Sequence, residues 1–63
     1  MIVKLVTKNN RSERVYECIA YHSYDLTQWA LVLASGTVYF YGKSRWDLYL
    51  HTKEGFVKIE NTL

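Results

Sequence analysis

Residues 29–42 read WALVLASGTVYFYG, two apolar runs on either side of Ser35-Gly36. Glycine accepts the positive φ that hairpin turns demand, so this pair predicts a two-residue turn. Ala34 then faces Thr37, Leu33 faces Val38, Val32 faces Tyr39, Leu31 faces Phe40 and Ala30 faces Tyr41. Side chains alternate along a strand. One face therefore takes Trp29, Leu31, Leu33, Val38 and Phe40, and the other Ala30, Val32, Ala34, Tyr39 and Tyr41.

The pattern continues towards the C-terminus. Residues 46–51, WDLYLH, alternate strictly between apolar and polar or aromatic positions. A loop at Lys43-Ser44-Arg45 would set Phe40 opposite Leu48 and Val38 opposite Leu50. A loop over Thr52–Gly55 sets Leu50 opposite Val57 and Leu48 opposite Ile59. Gly55 sits where a left-handed residue is commonly needed. The result is a four-stranded meander with one apolar face running from Trp29 through Trp46 to Ile59.

A helix competes for the first of these strands. Asp25-Leu-Thr-Gln28 has the form of a capping box, and Leu26, Trp29, Ala30 and Leu33 follow helical spacing up to Gly36. The strand is preferred because its register agrees with three neighbours. The alternative is an α+β chain, ββαβββ, with residues 26–35 helical.

Upstream, residues 2–7 (IVKLVT) and 14–22 (RVYECIAYH) read as strands around the polar loop Lys8–Glu13. A six-residue loop pairs Thr7 with Arg14 and sets Lys4 opposite Glu17, a favourable cross-strand charge pair. Both faces of this hairpin are partly apolar, which suits a sandwich or a barrel. Ser23–Thr27 is a connector, and Glu60–Leu63 reads as a frayed end. The fold class expected is all-β: a small, single-domain antiparallel sheet or barrel of about six short strands. SH3-like and OB-like barrels share this size, and no motif selects between them.

Sixty-three residues are near the lower limit for a domain that folds alone. Two Trp, six Tyr and two Phe supply large buried areas to a core that is short of residues. The single Cys18 cannot form an internal disulfide, which suits a cytoplasmic location. Met1–Val6 lacks the form of a signal peptide, and no apolar run is long enough for a membrane helix.

The formal charge is +2. Residues 1–14 carry Lys4, Lys8, Arg11 and Arg14 against Glu13, and the remainder is slightly acidic. That balance falls short of the basic face of a nucleic-acid binder.

No catalytic or cofactor motif is present, and no enzyme activity is expected. Cys18, His22 and His51 are the only soft metal ligands and lack the close pairing that structural zinc sites use, so no metal is expected. Cys18 reads as a small buried hydrophobe. Trp29 and Trp46 read as an aromatic plug, with Gly42 making room for them. The basic loop Lys8, Arg11 and Arg14 reads as a solvated turn.

The outer face of the meander is the candidate partner surface. It carries Tyr39, Tyr41, Tyr49, His51 and Lys58, with Lys43 and Arg45 on the loop at one edge. Tyrosines beside cations suit protein interfaces. They also suit single-stranded nucleic acid, whose bases stack on rings. Asp47 and Glu60 on the same face repel phosphate and favour a protein partner. The function expected is therefore that of a small binding module acting on another protein, through this face or an exposed sheet edge. Such chains are often regulators or inhibitors of larger machines, of the kind phages and plasmids carry. A nucleic-acid-binding barrel and a structural subunit or homo-oligomer are the alternatives.

Overall fold

In the computed structural model, residues 1–60 are described, so the expectation for Asn61–Leu63 lies outside the described residues. Seven antiparallel strands form two sheets, and no helix occurs among the described residues. They are β1 (Ile2–Thr7), β2 (Glu13–Glu17), β3 (Ala20–Ser23), β4 (Gln28–Val32), β5 (Val38–Gly42), β6 (Trp46–Thr52) and β7 (Gly55–Lys58). One sheet has the order β2-β1-β6-β7 and the other β3-β4-β5. The all-β class is as expected. The extra strand arises because the run 14–22 bends at Cys18-Ile19 and changes partner. The Cys18 amide donates to the Met1 carbonyl at 2.7 Å, while the Ile19 amide donates to the Val32 carbonyl at 2.9 Å. One bent segment thus belongs to both sheets.

The turn at Ser35-Gly36 is one residue longer than expected. The Leu33 amide donates to the Thr37 carbonyl and the Gly36 amide to the Leu33 carbonyl, each at 2.9 Å. Ala34-Ser35-Gly36 is therefore a three-residue loop, and Gly36 closes it at φ 90°, a conformation that only glycine adopts without strain. The added residue slips the register by one. Leu31 faces Tyr39, Trp29 faces Tyr41 and Ala30 faces Phe40. A slip of one exchanges the faces of a strand. Tyr39 and Tyr41 consequently share the inner face with Trp29 and Leu31, while Val38 and Phe40 turn outward, 43% and 50% exposed.

The expected four-stranded meander is broken between β5 and β6. β6 pairs with β1, setting Leu5 opposite Leu48 and Val3 opposite Leu50. This long-range pairing replaces the expected pairs Phe40–Leu48 and Val38–Leu50. The β6–β7 register is as expected: Leu50 faces Val57, His51 faces Phe56, and the Ile59 amide reaches the Leu48 carbonyl at 2.8 Å. Gly55, at φ 100°, ends the turn.

The β1–β2 register is shifted by two, with Lys4 opposite Val15 and not Glu17. Thr7 shortens the loop. Its hydroxyl oxygen accepts the Ser12 amide at 3.0 Å and the Arg11 amide at 3.2 Å, and Asn10 takes a left-handed φ of 61°. An even shift keeps each side chain on its expected face.

The core lies between the sheets. Val3, Leu5 and Leu48 from one side meet Trp29 and Leu31 from the other, with Cys18 at the bend. Each such aliphatic side chain removed from water stabilises the fold by ~1.5–3 kcal/mol. Cys18 is a buried member of this cluster, as expected, and burial raises its thiol pKa. A β-carbon on Gly42 would meet no atom within 4 Å, so Gly42 does not make room for the two indoles. Asp25 does not cap a helix. Its carboxylate accepts the Thr27 hydroxyl at 2.8 Å and the amides of Thr27 and Gln28, closing a turn that leads into β4. The Thr27 hydroxyl and amide hold the Asp25 carboxyl below its ordinary pKa.

Candidate functional site

The expected partner residues fall into three separate places. Tyr39 and Tyr41 lie on the inner face of the three-stranded sheet and pack on Tyr16 of β2, with ring centroids 5.2 and 5.9 Å apart. The Tyr41 hydroxyl hydrogen-bonds that of Tyr16, and its ring meets Trp46 edge-on at 5.0 Å. Burial, and then this hydrogen bond, push the Tyr41 pKa up to about 12. Tyr41 packs against the core, whereas Tyr39, covered on one side by Tyr16, remains 41% exposed.

Lys43 is buried. Its ammonium donates to the Ser23 hydroxyl and to the Asp25 carbonyl at 2.5 Å, and stands over the Trp29 ring at 4.7 Å. It fastens the β3–β4 connector to the loop after β5. Arg45 is exposed on that same loop.

Tyr49, His51 and Lys58 do share a surface, the outer face of the four-stranded sheet. The β1–β6 pairing brings Lys4 opposite Tyr49, and the β6–β7 pairing brings Lys58 opposite Tyr49 from the other side. The Lys4 ammonium lies 4.2 Å from the centroid of Phe56 and 5.7 Å from that of Tyr49. Phe56 in turn packs against His51 at 4.9 Å. Lys4, Tyr49 and Phe56 line an open hollow of about 530 Å³, and Arg11, Ser12 and Glu13 of the β1–β2 hairpin overhang it. Neither Lys4 nor Phe56 is among the partner residues expected from the sequence. Phe56 opposite His51 was legible, but Lys4 reaches this place only through the pairing of β1 with β6, strands with four others between them in sequence.

Charge on this face is balanced. Asp47 bridges Lys8 at 2.7 Å and Lys58 at 3.8 Å, and Glu13 lies 3.9 Å from Lys4. Of the expected basic loop, Lys8 is engaged by Asp47, Arg14 stands over the Trp46 ring at 5.9 Å, and Arg11 is exposed. Among the described residues no group of three or more Cys, His, Asp or Glu could hold a metal ion, and no helix could cross a membrane. No family model, no curated protein and no solved structure matches the chain.

Proposed function

We propose that the protein is a non-enzymatic binding module that engages another protein through the outer face of its four-stranded sheet. The observation that carries this reading is the aromatic hollow of Tyr49 and Phe56 with Lys4 across its floor. Protein interfaces concentrate their binding energy where aromatic and long basic side chains frame a concavity that a partner's side chain can fill. Exposed Val15 and Ile2 extend the apolar area beside it. The pairing of Asp47 with Lys8 and Lys58 supports a protein over a polyanion, because a phosphate backbone would have to displace a carboxylate that already holds both lysines. A role as regulator or inhibitor of a larger cytoplasmic assembly fits the size of the chain.

The test is capture from a lysate by the wild-type chain and by Phe56→Ala and Tyr49→Ala. Loss of one partner band with both variants, at unchanged thermal stability, is the expected result. Saturable binding of single-stranded oligonucleotides that weakens steeply with salt, and survives Phe56→Ala, would overturn it.

A further inference from the structure

The second surface is the free edge of β5. β5 pairs with β4 on one side, and among the described residues no strand pairs with its other side. The Leu33–Thr37 and Lys43–Thr27 hydrogen bonds fix the alternation of the ladder. Residues 37, 39, 41 and 43 direct their amides and carbonyls at β4, so those of Val38, Phe40 and Gly42 point outward. The side chains of Val38 and Phe40 are exposed beside them. Natural edges are blunted by proline, inward-pointing charge, bulges or a covering element. This strand, VYFYG, has neither proline nor charge. The adjoining outer face carries no Asp, Glu, Lys or Arg, with Ala20, His22 and Tyr24 on the β3 side and Ala30 and Val32 on β4.

The geometry points to a second copy of this chain as the occupant, pairing antiparallel through β5 about a twofold axis at Phe40. In that register Phe40 faces the Phe40 of the other copy and the two exchange both backbone hydrogen bonds. Val38 and Gly42 do the same in each direction, and Tyr39 meets Tyr41 across the axis. All outward amides of β5 then find carbonyls, while the Gly42 carbonyl keeps its bond from the Arg45 amide.

Charge favours an uncharged strand, such as β5 itself, over a charged one. A basic or acidic strand would find no counter-charge on this edge. The edge offers itself an uncharged strand with its small residue, Gly42, opposite β-branched Val38. A formal charge of +2 per chain sets little repulsion between copies. The pairing makes one continuous sheet from two three-stranded ones, and it leaves the Tyr49–Phe56 hollow of both copies open. It is therefore independent of what that hollow binds.

Sedimentation of the full chain tests this. A mass twice that of one chain at micromolar to sub-millimolar concentration is expected, with Phe40→Lys and Phe40→Glu each sedimenting as single chains. Mixing those two variants should restore the doubled mass, because the axis sets residue 40 opposite itself. Val38→Lys, which also replaces an exposed side chain, should abolish association too. A single-chain mass for the wild type throughout, a doubled mass for Phe40→Lys alone, or no association in the mixture would each overturn the proposal.

Discussion

Replacing Phe40 and Leu31 by alanine, one at a time, separates the observed β4–β5 register from the one a two-residue turn would impose. Under a two-residue turn Leu31 and Phe40 would face each other inside the core. In the structure Leu31 is fully buried and Phe40 is 50% exposed on the opposite face. Leu31→Ala removes a side chain with no solvent access and leaves a cavity, at a cost of about 3 kcal/mol or more. A chain of this length has a total stability of roughly 3–9 kcal/mol, so that loss is a large part of the whole.

Full burial of a phenylalanine stabilises by ~1.5–3 kcal/mol, so Phe40 at half exposure contributes about 1 kcal/mol. At roughly 4–8 °C per kcal/mol for a domain this small, Leu31→Ala lowers the midpoint by more than about 12 °C and Phe40→Ala by about 4–8 °C. The assay is urea and thermal unfolding followed by fluorescence of buried Trp29. It is run dilute, so that pairing between copies adds no concentration-dependent stability. A Phe40→Ala cost of about 3–5 kcal/mol, the range for a core phenylalanine, would refute the register.

Other outcomes follow from single groups. Because the Tyr41 pKa is raised from 10.0 to about 12 on folding, its contribution to stability is complete below pH 10.0 and declines as pH rises towards about 12. Phenolate absorbance with parallel unfolding curves reads this, and Tyr41→Phe should flatten the decline. Gly36→Ala meets no steric obstacle yet must hold φ 90°, so it costs about 1–2 kcal/mol in denaturant unfolding. Lys43→Ala leaves the Ser23 hydroxyl and the Asp25 carbonyl without their buried donor. It should lower stability by about 1–3 kcal/mol while leaving capture through the Tyr49–Phe56 face intact. Asp25→Ala should destabilise at neutral pH and lose its effect in acid. A carboxyl whose pKa is lowered by folding stabilises only above its unfolded pKa, and that stability fades as pH falls through the folded value.

What could be read from the sequence depended on whether loop length was decided locally. At β6–β7, strict alternation and a glycine at the end of the turn leave one register, and it is the observed one. At β1–β2 the Thr7 hydroxyl tightens the loop, and the error of two residues left the faces intact. At β4–β5 a single residue decided everything. Ser35-Gly36 fits a two-residue turn and a three-residue turn equally well, and the longer one exchanged Tyr39 and Tyr41 for Val38 and Phe40. The β1–β6 pairing has no local signature at all. It moved Tyr49 to a different sheet from Tyr39 and Tyr41, gave it Lys4 as a neighbour, and left the edge of β5 free.

The β5 edge depends on that slip of one residue and on the exchange of β6 from β5 to β1, and the Tyr49–Phe56 hollow depends on the exchange. Proton–proton contacts between α-hydrogens test them together, because such hydrogens approach closely only in the non-hydrogen-bonded pairs of an antiparallel ladder. Nuclear Overhauser effects are expected between the α-hydrogens of Ala30 and Phe40, of Val32 and Val38, and of Leu5 and Leu48. Contacts joining Val32 to Tyr39, or Val38 to Leu50 of the same chain, would contradict it.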